Sequence, residues 1–244
     1  MNAFMKDADP VSFEKNLILR PLRMGDYEQV VKLQRTCFQG MWPWSRDQIG
    51  SQLSVFAEGQ ICIEYQGEII ASSGSLIIDF DMQGKSHTWQ EISDEGHIRN
   101  HNPSGNTLYG IEIMVDPRYR GKKLARRLYD ARKRLAREKN LARIALGGRI
   151  PGYTQHQNDM SAEEYVEKVL SKSFYDPVMT TQIANGFVFK RLIPSYMFFD
   201  EESLGYGTLL EWVNPDYQPA PKCDIRKSQT CEHPWNSSHD RPDH

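Results

Sequence analysis

The stretch with the residues for chemistry is IEIMVDPRYRGKKLARRLYDARK, residues 111–133. An apolar run ends at Val115, Pro117 turns the chain, and Arg120-Gly121 opens a basic helix. A helix start leaves backbone N–H groups unpaired and carries partial positive charge. Gly121 lets backbone approach a ligand closely, and Lys122, Lys123 and Arg126 add full charges. Together these make an anion site suited to a pyrophosphate. Just upstream, Glu112 is a carboxylate in the middle of an apolar strand. Alternation puts Ile111, Ile113 and Val115 on one face and Glu112 with Met114 on the other. A carboxylate so placed is either a working acid–base group or half of an ion pair.

The charge of the whole chain sharpens the anion reading. Formal net charge is −2, yet residues 118–143 hold twelve Lys or Arg and two acids, Asp130 and Glu138. A basic block in an otherwise acidic protein points to a discrete polyanionic ligand. No aromatic interleaving accompanies the charge, which argues against a nucleic-acid surface. The composition, 39% hydrophobic and 25% charged over 244 residues, is that of a globular domain with a sizeable core. No run of about 18 apolar residues marks a membrane span, and the first 16 residues lack a signal core. The cysteines at 37, 62, 223 and 231 form no disulfide framework, so a cytoplasmic location is expected. Cys223, Cys231, His233 and His239 have no standard zinc spacing, and no metal is expected.

The elements that must position these residues follow from pattern. Residues 1–16 read as a ragged leader. LILRPL (17–22) reads as a strand, and Asp26 as the N-cap of a helix carrying Val30, Leu33, Cys37 and Phe38. After FQGMWPW (38–44), Ser45 caps a second helix carrying Ile49, Leu53 and Phe56. QICIEY (60–65) and EIIASSGSLII (68–78) form a hairpin across Gln66-Gly67. Residues 80–107 read as polar and irregular. A strand at 109–115 precedes the long helix at 121–138, whose apolar stripe reads as Leu124, Leu128, Ala131 and Leu135. A short strand (142–146), a glycine-rich break GGRIPGY (147–153), helices near 161–172 and 176–185, and strands at 187–193 and 206–213 complete the domain. The order predicts a mixed α/β fold over residues 17–213. Residues 214–244, rich in Pro, His and Asp, read as a disordered tail.

Val115, Pro117, Arg120, Gly121, Lys123 and Ala125 resemble the coenzyme A motif V-x-P-x-x-R-G-x-G-x-G/A of the GNAT N-acetyltransferase superfamily. Lys123 stands where that motif has its second glycine. The resemblance extends over most of the chain. FQGMWPW, IRNHNP, RRLYDARK, GGRIPGY, QIANGF and GYGTLLEWVNPDY look like the acetyltransferase-like N-terminal half of two-domain proteins with a carbon–nitrogen hydrolase (nitrilase-type) domain. Nothing after Tyr217 matches that second domain, so a standalone version or a truncated reading frame is expected. The resemblance implies a central twisted sheet of about seven strands flanked by about four to five helices. It implies acetyl-CoA as acetyl donor and a small-molecule or peptide amine as acceptor.

Residue roles follow from the same resemblance. Backbone amides of Arg120, Gly121, Lys122, Lys123, Leu124 and Ala125 hold the pyrophosphate, with Arg126 adding charge. The strand carrying Ile113, Met114 and Val115 meets the pantetheine arm. Glu112 is the candidate base for direct attack of the amine. Gln182 occupies the usual position of a thiolate-protonating Tyr, so Tyr175, and after it Tyr153, are the candidate acids. Trp42 and Trp44 either line the acceptor side or form a hydrophobic lid over the core, and Arg149 either holds an acidic substrate group or anchors its loop. Arg132, Lys133, Arg134 and Arg137 read as a solvated or docking face. A homodimer and a nitrilase-type hydrolase are the expected protein partners. The alternative reading is a catalytically degenerate, coenzyme A-binding regulatory module.

Overall fold

The computed structural model describes residues 10–84 and 86–219. Seven strands form one sheet in the order β1-β2-β3-β4-β5-β7-β6. These are β1 (Leu17–Pro21), β2 (Ile61–Tyr65), β3 (Glu68–Ile78), β4 (Thr107–Val115), β5 (Arg143–Arg149), β6 (Val188–Ile193) and β7 (Gly207–Val213). All neighbours are antiparallel except β4 and β5, which run parallel. The β2–β3 hairpin turns on Gln66 and Gly67, both at positive φ (51° and 81°), as the two-residue turn requires. Seven α-helices are present among the described residues: α1 (Pro10–Lys15), α2 (Tyr27–Cys37), α3 (Arg46–Phe56), α4 (Trp89–Ser93), α5 (Leu124–Glu138), α6 (Ala162–Leu170) and α7 (Met179–Ala184). The mixed α/β expectation holds, with more helices than the four to five expected.

Two of those helices lie where the sequence reads as structureless. Within the leader, α1 buries Phe13 against Tyr65 and Tyr119, at ring-centroid distances of 4.8 and 6.0 Å. Within the polar stretch 80–107, Thr88 and Glu91 close a capping box that starts α4. Ser45 caps α3 as expected, accepting from the Gln48 N–H at 3.1 Å. Asp26 stands at the N-cap position of α2, as expected, but its side chain makes no capping bond there. Its carboxylate is taken by the Arg20 guanidinium at 2.7 and 2.9 Å and by the Arg23 N–H at 2.8 Å.

The buried stripe of α5 differs from the pattern read in the sequence. Leu124 and Leu128 are buried as expected, but Tyr129, Arg132 and Ala136 complete the stripe. Ala131 and Leu135 sit at its margin, only partly buried. Arg132 is therefore a core residue rather than part of a solvated face. Lys133 and Arg137 are also engaged, both over the Trp212 ring, with Lys133 Nζ donating to the Asn185 carbonyl at 2.6 Å.

The glycine-rich break is likewise more ordered than the sequence suggests, because Gly147, Gly148 and Arg149 continue β5. A Cβ on Gly147 would fall 1.9 Å from the Tyr196 hydroxyl, and one on Gly148 would fall 2.4 Å from Gln182 Oε1. Both glycines make room for neighbouring side chains.

Candidate active site

The site begins with a local fault in the sheet. Register between β3 and β4 shifts, so that Gly74 faces Glu112 and Ser75 faces Gly110, leaving Ile111 as an extra residue. This is a β-bulge, which bends a strand and re-aims its side chains. It breaks the simple alternation expected for β4. Ile111 packs into the main core with Met114, whereas Val115 packs against Tyr119, Leu124 and Leu128, and Ile113 touches both groups. On its other side β4 pairs with β5 only from Thr107 to Gly110. Past that point β5 continues alongside β7 as far as Arg149. The two parallel strands therefore part at Gly110.

A cavity of about 290 Å³ opens where they part. Ile111, Glu112 and Ile113 line it from β4, and Leu146 through Arg149 line it from β5. Trp42 and Trp44, from the turn after α2, line it as well. Five of the residues singled out in the sequence, Glu112, Ile113, Trp42, Trp44 and Arg149, thus converge on one wall system. Trp42 is 94% exposed and stands at the rim, whereas Trp44 is 5% exposed.

Trp44 is buried in the main core, against Trp89, and from there it holds Glu112. Its indole Nε1 donates to Glu112 Oε2 at 2.5 Å, and its own backbone N–H donates to Gln34 Oε1 at 2.7 Å. Gln34 Nε2 reaches the same carboxylate oxygen at 3.4 Å. Burial pushes the Glu112 carboxyl up to about 7, against the Trp44 hydrogen bond and the Arg132 charge, which favour ionisation. The carboxylate borders the cavity, half-buried, with Trp44 and Gln34 on its Oε2. A carboxylic acid tuned near neutrality at a cavity wall is suited to general base work.

Arg149 is already occupied. Its Nε donates to Asp200 at 2.7 Å, and its Nη2 contacts both Asp200 and Glu202, the latter at 2.7 Å. Of its two sequence readings, the anchoring one describes this geometry. Tyr175 is 71% exposed and lies outside the cavity lining. Tyr153 is buried in a separate cluster with Tyr165 and Val166, its hydroxyl donating to the Met160 carbonyl at 3.3 Å. Neither candidate acid meets the cavity. The phenol that does is Tyr129 of α5, whose hydroxyl burial pushes up to about 12 and which lies beside Gln182.

The anion site takes shape at the start of α5. Gly121 (φ 80°) and Lys123 (φ 59°) both adopt left-handed backbone, and the helix proper begins at Leu124 rather than at 121. The first intrahelical bond runs from the Arg127 N–H to the Lys123 carbonyl at 3.3 Å. The N–H groups of Leu124, Ala125 and Arg126 precede it and point along the helix axis toward its start. Arg120, Lys122, Lys123 and Arg126 are all exposed around them. A Cβ on Gly121 would meet nothing within 4 Å, so the cradle is open. Met114 is buried in the core, and the Val115 carbonyl accepts from the Cys37 thiol at 3.3 Å. Those residues support the strand leading from the cavity to this helix start.

Lys123 stands in a backbone conformation that glycine adopts freely and other L-residues adopt at about 1–2 kcal/mol. Lys123→Gly is therefore expected to raise stability by about 1 kcal/mol, read as a higher denaturation midpoint in urea. An unchanged or lower midpoint would show that the lysine side chain holds the turn.

Sequence reasoning missed Gln34, Trp89, Tyr129 and Arg132 as site residues. Trp89 of α4 lines the cavity and donates from Nε1 to the Ile111 carbonyl at 3.1 Å, across the bulge. The Thr88-x-x-Glu91 capping signature was available to find its helix. Arg132 lies four residues after Leu128 and four before Ala136, so its place on the buried stripe was readable by helical spacing. Gln34 carried no such signal.

Comparison with known proteins agrees with this geometry. Residues 27–168 match the acetyltransferase (GNAT) family. The chain is 49% identical over 211 residues to the probable hydrolase YhcX of Bacillus subtilis, covering 86% of this chain and 41% of that protein. The chain thus spans about two fifths of that relative's length. It is 38% identical over 208 residues to the uncharacterized N-acetyltransferase YkwB of Bacillus subtilis, covering 84% of this chain and 92% of that protein. Among solved structures, the GNAT-like decarboxylase GphF in complex with isobutyryl-CoA superposes with a TM-score of 0.71. The two share 19% identity over 81% of this chain and 99% of that one, a likeness of fold. With its parted parallel strands, its basic helix start and these relatives, the chain belongs to the GNAT acetyltransferase family.

Proposed function

We propose that this protein transfers an acetyl group from acetyl-CoA to a primary amine with an apolar body. The observation that carries the reading is the Glu112 carboxylate, held by Trp44 at the wall of a cavity that opens between β4 and β5. The pyrophosphate fits the free N–H groups of Leu124, Ala125 and Arg126, with Arg120, Lys122 and Lys123 around it. The edge of β4 left unpaired beyond Gly110 leads from that helix start to the cavity. When bound, acetyl-CoA supplies the activated thioester carbonyl.

The remaining roles belong to the chain. Trp42, Trp89 and Phe38 give the cavity an aromatic lining that suits an apolar acceptor. Glu112 accepts the proton released as the amine nitrogen bonds to the acetyl carbon and the carbon–sulfur bond breaks. Tyr129, kept protonated by burial, is the group placed to return a proton to the departing sulfur. It takes the part for which the sequence nominated Tyr175.

The test is the pH dependence of kcat/KM with a panel of apolar amines, beside calorimetric titration of acetyl-CoA. Saturable binding is expected, with a rate, referred to the neutral form of the amine, that rises tenfold per pH unit below about 7 and then levels, since the base works ionised. Tight binding with no transfer to any amine would leave the regulatory-module reading in place. No binding at all would sink both.

A further inference from the structure

We infer that Arg132 is the positioning residue of this site, a clamp on the β4 bulge that fixes where Glu112 meets the cavity and faces it with a buried positive charge. The inference rests on reading Glu112 as the base. Arg132 is 2% exposed in the middle of α5. Its Nε donates to Ser75 Oγ at 3.0 Å, and its Nη2 donates to the Gly74 carbonyl at 2.7 Å and to the Glu112 carbonyl. None of these three acceptors is a carboxylate, although burying an arginine without one is expensive.

The position of those acceptors explains the arginine. Gly74 and Glu112 are register partners on one side of the bulge, and Ser75 pairs with Gly110 on the other. A bulge leaves ladder carbonyls without their usual N–H partners, and buried carbonyls must be satisfied. The planar guanidinium fork bridges both strands at once, which an ammonium on a flexible stem does not do. Gly110 completes the fit, because a Cβ there would fall 2.7 Å from Arg132 Nη1. The clamp thus sits at the residue where β4 and β5 part.

The charge acts beside the hydrogen bonds. Burial lowers the Arg132 guanidinium to about 10, so it stays cationic at neutral pH. The other titratable groups around Glu112 are weaker influences. Tyr129 of α5 and Cys37 of α2 are both neutral there, with the Cys37 thiol pushed up to about 11 by burial. Arg149, across the cavity on β5, is neutralised by Asp200 and Glu202. Arg132 is therefore the cation that offsets the burial of Glu112.

The test compares Arg132→Gln and Arg132→Lys in the full chain. The first readout is the pH titration of the Glu112 side-chain carboxyl carbon by NMR, assigned by its loss in Glu112→Gln. The second is the split between kcat and the KM for acetyl-CoA. Arg132→Gln removes the charge, so the midpoint should rise by about one pH unit from its native value near 7. Arg132→Lys keeps the charge but cannot bridge both carbonyls. Its midpoint should stay near native while kcat falls about tenfold and the KM for acetyl-CoA holds. An unmoved midpoint in folded Arg132→Gln, or native kcat in Arg132→Lys, overturns the inference. If the Gln variant does not fold, the Lys variant decides alone by its kcat. The NMR titration needs no acetyl transfer. Full turnover by Glu112→Gln would therefore remove the base reading and leave the coupling of Arg132 to Glu112 to be judged by the titration.

Discussion

Glu112→Gln is expected to lower kcat about a hundredfold or more while leaving acetyl-CoA affinity unchanged, and to make the protein more stable at pH 8. The loss of rate follows from removing the proposed general base, a role whose contribution is about 10²–10⁴. The gain in stability follows from linkage. In the folded state the Glu112 carboxyl titrates near 7, against 4.5 for the unperturbed group. Between those values the native protein binds more protons than the unfolded chain, so stability falls as pH rises. Below about 4.5 no penalty applies, and above about 7 the full cost of a buried carboxylate is present. A neutral amide avoids that cost, and its oxygen still accepts from Trp44. The difference between variant and native protein should be near zero at pH 4 and grow to at most about 3 kcal/mol above pH 7. Urea denaturation at both values measures it, and kinetics at pH 8 measures the rate. A rate that survives would assign Glu112 a structural role. A flat stability difference would mean that the cavity hydrates the carboxylate well enough to hold it near its ordinary range.

What could be read from the sequence divides along physical lines. Elements fixed by local pattern were legible: the Gln66-Gly67 hairpin, the Ser45 cap and the apolar runs of β3 and β4. So was the basic helix α5, because the signal lies in consecutive residues, although it starts at Leu124 rather than at 121. Features fixed by partners distant in sequence were not. The bulge at Ile111 depends on Gly74 and on an arginine 21 residues downstream, and nothing within residues 107–115 announces it. Asp26 was legible as the N-cap position of α2, but the pull of Arg20 on its side chain was not. Tyr175 was nominated by nearness along the chain to a missing tyrosine, whereas Tyr129 reaches the cavity from a different helix. Local preference sets the elements, and packing across the sheet decides which side chains they deliver to the site.

The proposed cofactor end of the site gives the second large effect. Replacing Arg120 with Glu together with Gly121 by Glu should weaken acetyl-CoA binding at least a hundredfold. Two negative side chains would then stand at a helix start where the N–H groups of Leu124 to Arg126 face outward. A charge-assisted hydrogen bond to a phosphate is worth about 1.5–3 kcal/mol, so losing that of Arg120 accounts for a large share, and repulsion by the two new carboxylates adds to it. Part of the effect comes through the backbone, since Gly121 at φ 80° sits where a side chain is strained by about 1–2 kcal/mol. Both replaced residues lie at exposed positions, so the core should tolerate the new side chains and the variant should melt within a few degrees of native. Raising salt separates the two contributions. Screening weakens repulsion between the new carboxylates and the phosphates but leaves backbone strain untouched. Partial recovery of affinity in 0.5 M salt is therefore expected from the electrostatic share. Binding that is unchanged by the double substitution would move the pyrophosphate away from the start of α5, and with it the assignment of β4 as the edge along which the acetyl donor reaches Glu112.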